Sequence, residues 1–294
     1  MKKIYWIIGL VALFFIGDRV GGYFLKNMVK TSQFRYSKLY RGEAKADILF
    51  LGNSRGLGFY IPQVEKITGK KAFNLSYNGL PINIGRALLQ DYVEKNGAPE
   101  IFVLDVSMIN RMDTTLVSGF NVYSPYSRQV GEVVKTYSKN VFYAGKLSHL
   151  FLHNSEIFQR ALFYRNQSDS NWIVDRQINE NMANSVDDQR PFYVGPFDST
   201  VVNILYEELK NTVDIALENN MKVKLVVSPF YPPFVKKIVN MPEFITRVEK
   251  TTGLKVYNFA DALEDKEGFG DYQHVNYRGA ITYMDILNSN GIFD

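Results

Sequence analysis

The chain has 294 residues, 46% of them hydrophobic and 22% charged, which excludes disorder for most of it and fits one large domain or two small ones. It holds no cysteine, so disulfide scaffolds, thiol nucleophiles, Cys-ligated metal centres and a lipoprotein anchor are excluded. The net charge of +4 is unevenly placed: residues 1–46 carry nine Lys/Arg and two acids, leaving 25 bases against 28 acids elsewhere, so no nucleic-acid partner is expected.

Behind Lys2 and Lys3, residues 4–17 (IYWIIGLVALFFIG) are uncharged. As a helix this run covers about 21 Å, less than the ~30 Å hydrocarbon core. Val20 to Leu25 extend the apolar character, so a tilted span over 1–25 is expected, with Asp18 and Arg19 near one interface. A cleaved signal peptide needs small residues at its cleavage site, and no Ala-x-Ala occurs; an uncleaved signal anchor is preferred. Both flanks are basic, so the distribution of Lys and Arg does not orient the span. Residues 26–46 read as a basic connector, and 47–294 as the main domain.

Five apolar runs read as buried strands: 47–53 (DILFLGN), 71–76 (KAFNLS), 101–107 (IFVLDVS), 222–228 (KVKLVVS) and 255–260 (KVYNFA). Helical patterns occupy about 60–68, 83–96, 200–219, 233–250 and 277–289. This alternation predicts an α/β fold with a parallel sheet, whose ligands bind beyond the carboxyl ends of the strands. About 108–198 breaks the alternation. It is rich in Tyr, Phe, Asn and Ser, with a helical patch near 130–165, and reads as a helical insertion, either a substrate-binding cap or extra packing.

The residues just after the strands carry the chemistry. The first strand ends in Gly52-Asn53-Ser54-Arg55-Gly56. Ser54 sits where strand passes to helix, a place that exposes a hydroxyl among helix N-terminal amides; an ordinary N-cap is the plainer alternative. The second strand ends in Asn74-Leu75-Ser76-Tyr77-Asn78-Gly79, where Gly79 lets backbone approach a ligand or simply forms an Asn-Gly turn. Asp271-Tyr272-Gln273-His274-Val275-Asn276 precedes the last helix. An Asp three residues before a His can hold one ring nitrogen while the other acts as base; a capping turn with a structural His is the alternative. His149 and His153 have i, i+4 spacing, but Leu-Phe-Leu between them supplies no metalloprotease Glu. No metal and no cofactor is expected. Asp187-Asp188 and the run 261–267 read as solvated surface.

In this order, GNSR around Ser54, NLSYNG around Gly79 and DYQH with Asp271 and His274 resemble the SGNH hydrolase superfamily, also called GDSL-like esterases. The resemblance covers roughly 47–107 and 200–294. It implies a flavodoxin-like three-layer fold with a five-stranded, mainly parallel sheet. It also implies a Ser54–His274–Asp271 triad, with the Ser54 and Gly79 amides binding the oxyanion and Arg55 and Asn78 contacting substrate. The anchor, the G-N-S-R form and the late Asp-x-x-His-x-Asn resemble membrane-anchored members that handle acyl groups on cell-surface polysaccharides, often beside a membrane-bound O-acyltransferase. That branch implies a single pass through a bacterial inner membrane, with the catalytic domain on the extracytoplasmic side. Two positions depart from the pattern: Asn53 stands in place of the usual Asp, and 104–110 (LDVSMIN) lacks the third-block Asn. Asn78 or Asn110 would have to replace that donor.

Two functions follow as expectations. One is an enzyme that moves an acetyl group to or from an envelope glycan through an acyl-Ser54. The other is a non-catalytic relative that binds a glycan or an acyltransferase through its insertion.

Overall fold

The computed structural model describes residues 2–169, 172–196 and 198–294. The five strands form where the apolar runs predict them: β1 (Ile48–Leu51), β2 (Ala72–Asn74), β3 (Ile101–Asp105), β4 (Lys222–Val227) and β5 (Val256–Asn258). Every residue of β1 and β3 is buried, as near-continuous apolar strands in the middle of a parallel sheet should be.

Helices fill the intervals. α1 (Lys2–Thr31) and α2 (Arg35–Arg41) precede β1. α3 (Ile61–Thr68) and α4 (Ile82–Asn96) follow β1 and β2. After β3 come α5 (Thr114–Gly119), α6 (Arg128–Tyr137), α7 (Lys139–Leu147), α8 (Glu156–Phe163), α9 (Glu180–Asn184) and α10 (Val202–Glu218). α11 (Pro232–Val235) and α12 (Met241–Thr252) follow β4, and α13 (Tyr277–Ser289) comes last. The helix expected over 233–250 is thus two helices. Pro232 and Pro242 each lie in a first turn, where a missing N–H is tolerated, so each begins a helix rather than continuing one.

The chain divides into two compact units. One joins Met1–Arg41 with Thr114–Asp169; the other joins Gly42–Asp113 with Ser170–Asp294. In the sheet unit all strands are parallel, in the order β2-β1-β3-β4-β5. From β1 the chain goes first to β2 on one side and then returns to β3 on the other. The carboxyl ends of β1 and β3 therefore flank a topological switch point, where α/β sheets form ligand crevices. α4 packs on α10, and α3 on α13.

The N-terminal unit is helical. α1 is longer than its apolar run because it continues through residues 18–31. Ile4–Thr31 is long and apolar enough to cross a membrane, with mean hydropathy 1.7 in its most apolar window. Ile4 to Ile16 present exposed apolar side chains, whereas Asp18 and Val29 are buried. The Asp18 carboxylate accepts from Ser148 Oγ at 2.5 Å, His149 N at 2.9 Å and Leu150 N at 3.0 Å, capping the turn after α7. Gly22 permits this crossing, since a Cβ there would stand 2.3 Å from His149 Cβ. The stretch expected as a connector is largely helical: it includes the end of α1 and all of α2. Arg35 clamps Asp169 through Nε (3.0 Å) and Nη2 (3.1 Å), and Phe34, Tyr36, Phe120 and Tyr123 build a buried aromatic cluster. The insertion expected at 108–198 is thus shared: 114–169 folds with the N-terminal helices, and the rest folds with the sheet. Residues 170, 171 and 197 of it lie outside the described residues.

Candidate active site

β1 carries the chain to Gly52 and releases it into a short 3-10 turn, Arg55–Gly58, with Ser54 at its start. Ser54 makes no side-chain cap, so the plain N-cap alternative does not describe it. Its Oγ lies 2.8 Å from His274 Nε2. His274 Nδ1 faces Asp271 Oδ1 at 2.8 Å and Oδ2 at 3.0 Å. The sheet unit thus brings together three side chains from the first strand end and the last loop.

Asp271 is held by its own backbone. Oδ1 also accepts from Gln273 N at 2.9 Å and His274 N at 3.0 Å, a local turn that follows from the Asp-x-x-His spacing. Partial burial on its own raises the Asp271 pKa, but the His274 contact and the two backbone donors outweigh it and hold the carboxyl below its ordinary value. A carboxylate on Nδ1 places the ring proton there and leaves Nε2 free to accept from Ser54.

Asn276 anchors the other side of the loop. Its Oδ1 accepts from Gly279 N at 3.2 Å as the cap of α13, and its Nδ2 donates to Glu267 O at 2.7 Å.

Gly79 lies in the turn after β2, with φ +68°, a left-handed conformation that favours glycine. Tyr77 N donates to Gly52 O at 3.4 Å, so this loop runs beside the end of β1. Among the described residues, the Ser54 and Gly79 amides donate to no protein acceptor. Asn78 is exposed at the same turn, and Asn110 is half-buried beyond the turn after β3.

The expectation that Arg55 touches substrate meets a buried guanidinium. Arg55 is 6% exposed and its guanidinium carbon stands 3.4 Å from the Phe230 ring centroid. It donates to Ser228 O and, at 3.3 Å, to Gln273 O, and Asp105 lies 4.0 Å away. Burial lowers its pKa to about 10, although Asp105 opposes the shift. Arg55 therefore ties the β1 loop to the end of β4 and to the residue before His274. Asn53 is also structural: Nδ2 donates to Ser107 O at 3.3 Å and Oδ1 accepts from Arg55 N at 3.0 Å.

Two neighbours escaped the sequence reading. Arg176 Nη2 lies 3.7 Å from Asp271 Oδ2, and its Nε donates to Gly270 O at 3.3 Å. Val174 bridges to Asn276. Both come from the insertion, where no periodicity marks them. His153 Nδ1 contacts His149 O at 2.9 Å, so that ring nitrogen is occupied with a local turn, and burial lowers the His153 pKa. Among the described residues no cluster of three His, Asp or Glu side chains could hold a metal ion.

No protein-family model matches the chain, and no curated protein matches it.

Proposed function

We propose that the chain is a serine acyl-ester enzyme of SGNH type, with the sheet unit folded as a flavodoxin-like domain. The observation that carries this reading is the continuous Ser54–His274–Asp271 hydrogen-bond chain at the carboxyl end of a parallel sheet. The strand order supports it, since 2-1-3-4-5 is the flavodoxin-like order.

In this reading Ser54 Oγ attacks the acyl carbon as His274 Nε2 takes its proton. Charge builds on the carbonyl oxygen, and the unpaired Ser54 and Gly79 amides are the donors suited to it. Collapse breaks the ester bond, and the departing alkoxide takes the proton from His274. An acceptor hydroxyl then attacks the acyl-Ser54, gives its proton to His274, and Ser54 recovers that proton as it leaves. A sugar hydroxyl as acceptor gives acyl transfer; water gives hydrolysis. Arg55 acts through position, setting the Gln273–His274 segment against the β1 loop.

The substrate class is an acetyl ester of a cell-envelope polysaccharide, reached from a single-pass anchor in the inner membrane, with a membrane-bound O-acyltransferase as the donor-side partner. This rests on the resemblance of the motifs and on α1. Glycan acetylation compared between cells carrying wild type and Ser54→Ala tests it. Loss of acetyl groups in the variant means transfer and gain means removal. Unchanged acetylation overturns the catalytic reading and favours a non-catalytic binding partner.

A further inference from the structure

The N-terminal unit gathers several exposed large apolar side chains where α1 leaves it. Leu147 is 79% exposed, with Tyr143 one turn earlier on α7 and Leu150 and Phe151 just beyond, all exposed. They sit at a fixed level on α1. Asp18, at the end of the exposed apolar run, bonds the Ser148–Leu150 turn, and Arg19 Nη2 donates to Leu147 O at 3.0 Å. Exposed Val20, Tyr23 and Phe24 continue the apolar face along the next turns of α1.

We propose that this end of the N-terminal unit is a lipid-docking surface seated in the headgroup–acyl boundary of an anionic bilayer; this rests on the reading of α1 as a membrane anchor. Three observations select lipid as the occupant. The first is continuity: the patch surrounds the residue at which the apolar run ends, so insertion of Ile4 to Ile16 brings Leu147 and Phe151 to the interface. Interfacial apolar faces sink about 5–10 Å, and tyrosine favours that depth. The second is the basic rim: Arg19 lies over the Phe15 ring at 4.5 Å and Lys146 over Phe142 at 4.8 Å, the mixed apolar and cationic character that suits lipid headgroups. The third is charge. The N-terminal unit carries fourteen Lys/Arg against four Asp/Glu, while the sheet unit carries twenty against twenty-six. The basicity therefore extends beyond the terminal segment into the insertion, and it stays with the unit that holds the anchor.

The cysteine-free chain allows a direct test. Single Phe14→Cys, Leu147→Cys, Phe151→Cys and Phe163→Cys variants of the full chain are labelled with an environment-sensitive fluorophore. They are then reconstituted into phosphatidylcholine–phosphatidylglycerol vesicles containing lipid-attached quencher. Phe163 is the internal contrast. It is 61% exposed but belongs to the far end of α1, about 20 Å along the helix from Asp18, where Ser32 Oγ donates to Ala161 O and Gln33 N to Tyr164 O. The expected result is loss of most fluorescence at 14, 147 and 151 and none at 163. Quenching at 14 without quenching at 147 and 151 overturns the docking surface and leaves the anchor standing. No quenching at 14 overturns the anchor reading and the surface with it. Labels at 147 and 151 that stay wet in vesicles but are shielded in native membranes overturn lipid as the occupant and assign the face to a protein.

Discussion

Replacing Asp271 with Asn keeps the side chain's shape and removes its charge. Oδ1 accepts from two backbone amides as well as from His274, so the amide oxygen must take that position and the amide NH2 the Oδ2 position. That NH2 then stands 3.0 Å from His274 Nδ1, donor against donor. The charge loss matters more. In the proposed mechanism, His274 takes the Ser54 proton and an imidazolium forms beside the carboxylate at 2.8 Å. Coulomb attraction at that distance is about 6 kcal/mol at an effective dielectric of about 20. Asp271 and His274 are 22% and 28% exposed, so water trims this to about 4–5.5 kcal/mol, or roughly 10³–10⁴ in kcat. A loss of about 10⁴ is the usual size for this change in a Ser–His–Asp triad. The assay is turnover of an activated acetyl ester, with urea unfolding run in parallel. The two backbone bonds survive, so the folding midpoint should fall only by what the ionised carboxylate contributes, while kcat collapses. A kcat within about tenfold of wild type would refute the charge-stabilising role.

Ser54→Ala should abolish ester turnover with little change in thermal midpoint, because Ser54 makes no side-chain cap; calorimetry beside the activity assay checks both. The Asp271 pKa is lowered in the folded protein, so its ionised form contributes stability above its ordinary value of 3.8, and that contribution is lost as pH falls through the folded value. Acid unfolding of Asp271→Asn should accordingly lack that component, and an identical acid limb in both proteins would contradict it. Gly79→Ala forces a side chain into φ +68° at about 1–2 kcal/mol, and should lower kcat more than the affinity for a substrate analogue. Arg55→Met removes the bonds to Ser228 and Gln273 and leaves Asp105 without its cation. It should destabilise the protein by about 3 kcal/mol or more, measured by urea unfolding.

Much of the sheet unit is legible because strand and turn chemistry are local. Apolar runs closed by glycine or serine mark β1, β3 and β4, and Asp-x-x-His encodes its own turn. The surroundings of Ser54 are less local: a serine at a strand end reads more plainly as a cap, and its contact with His274 comes from a loop 220 residues later. Arg55 misleads for the same reason. The resemblance implies substrate contact at Arg55, but Phe230 and Ser228, far along the chain, turn it inward. The N-terminal unit is the least legible part. Its halves are separated by the first three strands, and Asp18, which reads as a charge at the end of a span, meets its partners at 148–150. Gly21-Gly22 signals that crossing, but a glycine pair carries no direction of its own.

The most direct measurement is the site of covalent acylation. Full-length wild type and Ser54→Ala are incubated with an activated acetyl ester, quenched in acid and mapped by peptide mass. The account predicts one acetyl group on Ser54 in the wild type and none on the corresponding peptide of the variant, with His274→Ala acylated far more slowly. Labelling at another residue, or equal labelling of wild type and Ser54→Ala, would contradict the account.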